Sequence, residues 1–209
     1  HLAAACAAPN HEKYNSIAYK QAIKNGLQFW YDSKSVDANW WFNRIYLPQR
    51  LGETLIFMRA FDGFIPQTTS EGIDEPEVLS LFTPTAIKDI TSYNTGANAI
   101  DIGLQYVYKG LLTENGKLLE ETKNKLESIL ADNIKADMVY QDHGPQIMIA
   151  SYGPVFCEGL IRLASYLANS PAAFDTKSKN FTKVLSFIRN TQSSSTRGRS
   201  WDFSVLGRG

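Results

Sequence analysis

The sequence has few cysteines, no long apolar run and no excess of either charge. Its 209 residues include two cysteines, Cys6 and Cys157, whose separation fits no metal-ligand spacing. We expect two free thiols, with Cys157 buried because it lies in an apolar helical pattern. No run of about 18 apolar residues is present, so no membrane span is expected. The 21 basic and 21 acidic residues balance, which argues against a protein that coats nucleic acid.

The common catalytic motifs are also missing. The sequence contains no GxSxG, no HExxH, no phosphate-binding loop and no paired-carboxylate pattern. These absences disfavour serine hydrolases, zinc proteases and P-loop enzymes, and neither a metal nor another cofactor is expected. The first residues include no initiator methionine and no readable signal peptide, and they are typical of a cut or processed end.

What the sequence does have is an ordinary globular composition with helical periodicity. Hydrophobic residues make up 44% and charged residues 20%, a balance that excludes a disordered chain. Apolar residues recur every three to four positions, which predicts helices over 13–31, 48–61, 77–92, 98–112, 117–134, 153–168 and 178–190. Residues 138–150 break this period and predict two extended arms, over 138–140 and 147–149, that flank an ordered loop. The pattern indicates an all-α fold of stacked helical hairpins.

Two adjacent tryptophans stand shortly before one of the predicted helices. Neighbouring side chains diverge in a regular segment, so Trp40 and Trp41 cannot both face one core. An exposed indole would be a platform on which a sugar or an aromatic ring could stack. A corner packed between two helices is the alternative interpretation.

A histidine and a tyrosine lie at the two sides of the non-helical segment. His143 precedes Tyr152 by nine positions, and a Gly-Pro pair follows each of them. Polar residues on an ordered loop are typical of a functional site, although a structural histidine and a packing tyrosine are the alternatives. Asn98 stands at the start of a predicted helix, where spacing alone favours a capping role.

The last part of the chain is basic. No acidic residue lies between Asp175 and Asp202, whereas six lysines and arginines lie there and Arg208 follows. Arg197 and Arg199 stand among glycine and serine and could bind a planar anion bidentately, which predicts a carboxylate or sulfate ligand. A solvated charged face is the alternative.

Four groups of motifs occur in an order that resembles a known family. They are Asn39-Trp40-Trp41, the run Tyr93–Ile102 that contains TGAN, His143-Gly144-Pro145-Gln146 with Ser151-Tyr152-Gly153, and Trp201-Asp202-Phe203 with Gly207-Arg208-Gly209. Together they are similar to the helical domain of polysaccharide lyase family eight, in particular its chondroitin AC lyase branch. The resemblance covers residues 39–209 and leaves residues 1–38 as a helical lead-in.

The resemblance implies an incomplete (α/α) toroid with a long substrate groove, in which Trp40 and Trp41 would stack on sugar rings. Members of the family cleave acidic polysaccharides, chiefly chondroitin sulfates and hyaluronan, by β-elimination. They continue into β-sheet domains that complete the groove. This chain is therefore expected to be the helical portion of a larger lyase, which needs the missing C-terminal portion or a second chain. A secreted or periplasmic bacterial enzyme is also implied.

The resemblance further implies a role for each residue of the site. Asn98, helped by His143, would bind the uronate carboxylate. Tyr152 would take the C5 proton and then protonate the leaving glycosidic oxygen, with Arg208 beside it. A free tyrosine has a pKa of about 10, so an adjacent arginine that favours phenolate makes it a usable base. His143 stays open as the base, because an unperturbed histidine has a pKa of about 6.5.

Two other functions stay open. A carbohydrate-binding module could keep the groove without doing chemistry. A glycoside hydrolase on an (α/α) toroid would need two groove carboxylates, and because the sequence offers no such pair, this alternative ranks last.

Overall fold

A computed structural model describes residues 1–33, 35–60, 78–79 and 96–207. Its elements in chain order are α1 (Leu2–Ala7), α2 (Ile17–Ser33), a first π-helical turn (Phe42–Tyr46), α3 (Leu47–Arg59), α4 (Gly96–Leu112), α5 (Gly116–Ile129), β1 (Gln141–Asp142), β2 (Gln146–Ile147), α6 (Tyr152–Leu167), α7 (Lys179–Ser186), a second π-helical turn (Phe187–Gln192), β3 (Thr196–Arg197), β4 (Ser200–Trp201) and a 3-10 turn (Phe203–Val205). The predicted all-α class is confirmed. The helix predicted over 77–92 lies outside the described residues, apart from 78–79.

The predicted helices are confirmed elsewhere, with shifted ends. The largest shift is at the start of α3, because helical backbone already begins at Trp40 and continues through the first π-helical turn, whereas the sequence predicted a start at Pro48. Leu47 N–H closes this wider turn by donating to the Phe42 carbonyl. Pro48 follows Leu47 and has no N–H with which to form the regular helical hydrogen bond. The wider turn ends two residues before this proline, at Tyr46. α5 ends at Ile129 rather than at residue 134.

The described residues form two compact units. The first unit comprises those within His1–Pro84 and Leu111–Glu114. In it α1 packs against α2 and α3. Leu51, Leu55 and Met58 of α3 are buried at spacings of four and three, as expected for one apolar stripe of a helix. This core also contains Ala3, Cys6, Ile23, Leu27, Ile45, Val78 and Leu112.

The second unit comprises the described residues within Thr85–Gly110 and Asn115–Gly209. α4 and α5 run antiparallel here, because Gly110 faces Leu119 while Gly103 faces Leu126. A Cβ at Gly103 would lie 2.6 Å from Leu126 Cδ1, so glycine permits the close approach. This pair is a helical hairpin of the predicted kind. The core also contains Ile100, Leu104, Tyr140, Phe156, Leu160, Leu163 and Phe187.

Both cysteines are free, and Cys157 is buried, which confirms the two predictions. Cys6 is buried as well. Burial raises the pKa of the Cys157 thiol to about 12, so the thiol stays protonated and unreactive near neutral pH. None of the described helices has the length and apolar character needed to cross a membrane. Among the same residues, no cluster of three or more His, Cys, Asp or Glu could hold a metal ion.

Candidate active site

The segment that breaks the helical period folds into a short β-hairpin. β1 pairs antiparallel with β2, so two extended arms are present as predicted. Their pairing is shifted toward the turn, because the strands comprise residues 141–142 and 146–147 and not the apolar runs at 138–140 and 147–149. The turn between them holds His143 at φ 52° and Gly144 at φ 84°. A positive φ is uncommon outside glycine, although histidine tolerates it better than most residues. The Asp142 carboxylate accepts the His143 N–H at 2.8 Å and so holds this turn.

His143 and Tyr152 are in contact. Their ring centroids lie 4.9 Å apart and their planes meet at 69°, an edge-to-face arrangement. His143 is exposed and Tyr152 is half-buried. Tyr152 is the first residue of α6, and the next residue, Gly153, donates its N–H to the Met148 carbonyl at 2.9 Å. The start of α6 is therefore held to the end of the hairpin, which brings the two predicted residues together.

Asn98 is carried by a helix whose first turn contacts the same hairpin. It is the third residue of α4 and half-buried, so it lies inside the first turn rather than at the capping position before it. Gly96, at φ 55°, permits the contact. A Cβ on Gly96 would lie 2.3 Å from the Tyr140 hydroxyl oxygen and 2.7 Å from Asp142 Oδ2.

Tyr140 anchors this arrangement in the core. Its side chain is fully buried, and its ring centroid lies 5.4 Å from that of Phe156 and 5.8 Å from that of Phe187. The hydroxyl donates to Asp142 Oδ2 at 3.3 Å. Burial, followed by the negative charge of Asp142, raises the pKa of Tyr140 above its ordinary value. The hydroxyl therefore stays neutral and can act as a donor.

Replacing Gly96 with alanine is expected to destabilise the second unit by about 2–6 kcal/mol, because a left-handed non-glycine residue costs about 1–3 kcal/mol and overpacking costs a similar amount. Thermal unfolding and hydrogen exchange of residues 140–147 measure the effect. Gly198→Ala is the matched control, since Gly198 has φ 62° but no heavy atom within 4 Å of a Cβ. Equal losses in the two variants would contradict a role for the close approach at Gly96.

The basic tail passes beside the loop that precedes α6. Ala150 donates its N–H to the Val205 carbonyl at 3.0 Å. Gly207 adopts φ 66°, and a Cβ there would lie 2.6 Å from the Ile147 carbonyl oxygen, so only glycine fits. Arg208, which was predicted to act beside the tyrosine, follows Gly207 in the sequence and lies outside the described residues.

Arg197 and Arg199 are exposed on the hairpin formed by β3 and β4. Arg197 donates to the Ser194 carbonyl at 2.7 Å, so it already bonds within its own loop. Asp202 lies nearby. The hydroxyl and the N–H of Ser204 donate to its carboxylate and, with a smaller contribution from the Arg197 charge, hold the pKa of Asp202 below its ordinary value.

Trp40 and Trp41 belong to the first unit, where they begin the helical run. Trp40 is 48% exposed, which confirms that one indole faces solvent. The Trp41 ring is half-buried and lies 5.3 Å from the Phe42 ring and 5.7 Å from the Tyr46 ring, centroid to centroid. Sequence reasoning missed these two aromatic neighbours, which are themselves exposed. Tyr46 joins the cluster because a π-helical turn brings residues five apart together.

Sequence reasoning also missed Tyr140 and Asp142. A usable signal was present, because residues two apart in an extended arm point to the same face. The pattern Tyr140-Gln141-Asp142 therefore places a phenol and a carboxylate on one side of the arm that leads to His143.

Comparison with known proteins gives a consistent result. Residues 1–209 match the family model described as polysaccharide lyase family 8, N terminal alpha-helical domain. The chain is 36% identical over 193 residues to chondroitinase-AC of Pedobacter heparinus, a match that covers 90% of this chain and 26% of that protein. It is 28% identical over 175 residues to a polysaccharide lyase 8 family protein of Enterococcus faecalis, covering 78% of this chain and 12% of that protein.

A solved structure gives a similar match. The structure is of chondroitinase AC lyase, whose active site was studied through enzyme–oligosaccharide complexes and mutagenesis. It superposes with a TM-score of 0.81 at 31% identity, over 98% of this chain and 30% of that chain. The present chain therefore spans between a quarter and a third of the length of these two chondroitinases.

Proposed function

Because the chain belongs to polysaccharide lyase family 8, whose N-terminal α-helical domain it matches throughout, we propose that it is the helical part of an enzyme that cleaves uronic-acid-containing polysaccharide by β-elimination. Chondroitin sulfate is the first candidate substrate, since the relative at 36% identity is a chondroitinase, and hyaluronan is the second. In this proposal the helical hairpins belong to an incomplete (α/α) toroid of a secreted or periplasmic enzyme. The rest of the groove comes from a C-terminal portion or a second chain.

The observation that carries the proposal is the contact between His143 and Tyr152 at 4.9 Å, beside the helix start that bears Asn98. A proton next to an ionised carboxylate is very weakly acidic, because its removal adds negative charge to a charged group. Asn98 and His143 are neutral hydrogen-bond donors in the proposed reaction. Preorganised donors of this kind stabilise charge where it develops in the transition state.

The proposed reaction balances through one tyrosine. The Tyr152 phenolate takes the C5 proton, the freed electron pair forms the C4–C5 double bond, and the bond from C4 to the glycosidic oxygen breaks. That oxygen takes the proton from the Tyr152 hydroxyl, which returns the residue to phenolate. Arg208 stabilises the phenolate by its positive charge. The products are a 4,5-unsaturated uronate and a new hydroxyl on the leaving sugar.

The proposal assigns the remaining predicted residues to substrate binding. Trp40 presents an exposed indole, which suits stacking on a sugar ring. Trp41 extends this aromatic surface. Arg197 and Arg199 are exposed cations that would bind carboxylate or sulfate groups of the polymer.

The test of this proposal uses the complete enzyme with chondroitin sulfate and, separately, with hyaluronan. New ultraviolet absorbance from the unsaturated uronate is expected for at least one of the two polymers. Products with only saturated ends would indicate hydrolysis and contradict the proposal. Binding of both polymers without any cleavage would also contradict it, and would favour a carbohydrate-binding module.

A further inference from the structure

The Asp142 carboxylate bonds to two neighbours in the candidate site, His143 and Tyr140. Its Oδ1 accepts the His143 N–H at 2.8 Å, and its Oδ2 accepts the Tyr140 hydroxyl at 3.3 Å. The Tyr140 hydroxyl lies against Gly96, two residues before Asn98, because a Cβ on Gly96 would be 2.3 Å from its oxygen. Two hydrogen bonds and one close packing contact therefore link the first turn of α4, which bears Asn98, to the backbone of His143.

We propose that Asp142 is a positioning residue, which sets the placement of His143 relative to Asn98 so that both can donate to one carboxylate. The inference rests on the proposed lyase function, since that function requires the two donors to act on the same group. Asp142 acts through its neighbours and does not touch the substrate.

A carboxylate is well suited to this place. It offers two acceptor oxygens and no donor, so it can accept the backbone N–H on one side and the phenolic hydroxyl on the other. His143 keeps a left-handed backbone at φ 52°, a conformation that persists only where the surroundings enforce it. The hydrogen bond from the His143 N–H to Asp142 Oδ1 stabilises this backbone conformation.

The hairpin has a separate attachment to the core, so the role of Asp142 can be tested without dismantling the fold. Asn133 Nδ2 donates to the Gln141 carbonyl at 2.7 Å, and the Gln141 N–H donates to the Asn133 carbonyl at 2.8 Å. The buried Tyr140 ring adds its contacts with Phe156 and Phe187. None of these interactions uses the Asp142 side chain.

The test compares variants of the complete lyase in steady-state kinetics. Asp142→Ala is expected to lower kcat by about 10–100-fold, because small misplacements of reacting groups have effects of this size, while KM changes by less than about threefold. Asp142→Asn keeps an acceptor oxygen and is expected to recover most of that loss. Asp137→Asn is the matched control. Asp137 is exposed, accepts the Val139 N–H at 3.2 Å and is expected to behave as wild type.

A double-variant cycle with Tyr140→Phe provides a second readout. That substitution keeps the buried ring and removes only the hydroxyl, so it breaks the link between Asp142 and the first turn of α4. Adding it to Asp142→Ala is therefore expected to cause little further loss of kcat, which is non-additive behaviour. Hydrogen exchange at Gln141 and Met148 is expected to stay at the wild-type rate.

The outcomes separate this inference from the proposed function. No eliminative cleavage by the wild-type enzyme would overturn the proposed function and the inference together. An active wild type with unchanged kcat in Asp142→Ala would overturn the inference alone. Fully additive losses of kcat from Tyr140→Phe and Asp142→Ala would also overturn the inference. The same holds if kcat falls only in proportion to faster hydrogen exchange across the hairpin, because the loss would then reflect a destabilised hairpin.

Discussion

Replacing Tyr152 with phenylalanine is expected to lower the kcat of the complete lyase by about 10²–10⁴-fold, the usual contribution of a positioned acid or base. The substitution removes only the hydroxyl that moves the proton in the proposed reaction. The ring remains, and with it the edge-to-face contact with His143 at 4.9 Å. Oligosaccharide affinity, measured by calorimetry, is therefore expected to change by less than about threefold, whereas the rise in ultraviolet absorbance almost disappears.

Tyr166→Phe is the matched control for this experiment. Tyr166 lies near the other end of α6 and is exposed, so its variant is expected to keep wild-type turnover. Near-normal activity of Tyr152→Phe would contradict the assignment of the tyrosine as the base. If His143→Gln abolished activity at the same time, the histidine would be the base instead.

Asn98→Ala is expected to lower kcat by about 10²–10³-fold, the range seen when one donor is removed from an oxyanion site. The loss is expected to fall mainly on kcat, because in the proposed reaction the donor acts most strongly on charge that develops as the C5 proton leaves. Asn98→Asp is expected to be at least as damaging, because its negative charge opposes the uronate carboxylate. Initial rates at saturating and limiting polymer concentrations separate the effects on kcat and KM.

The exposed Asn124 of α5 gives the matched control, since Asn124→Ala removes an amide of the same size from the same unit. It is expected to leave both kinetic parameters unchanged. If Asn98→Ala raised KM alone and left kcat intact, the residue would contribute to substrate binding without stabilising the transition state.

The helices were predictable because their apolar residues follow the helical period. The starts of α4 and α6 lie within two residues of the predicted positions 98 and 153. The first π-helical turn was not predictable, because a bond between residues five apart leaves no periodic signal over a single turn. Because of that turn the helical run begins at Trp40, whereas the predicted start was Pro48. The same turn places the Trp41 ring in contact with the Tyr46 ring.

The site was predictable only where its contacts are local. His143 and Tyr152 are nine positions apart on one loop, so the sequence could bring them together. The close approach of Gly96 to Tyr140 and that of Gly207 to Ile147 join distant parts of the chain. In the sequence each of these glycines is an ordinary turn residue, and neither its left-handed backbone nor its neighbour is visible there.

The position of Gly207 has a consequence for the order in which the site assembles. The hydrogen bond from Gly153 to Met148 spans five residues, whereas the packing of Gly207 on Ile147 closes a loop of about sixty residues. Long loops close at a greater entropic cost and later in folding than short ones. A nascent or refolding chain is therefore expected to pair its histidine and tyrosine first, and to bring the glycine ahead of Arg208 into place as a late step.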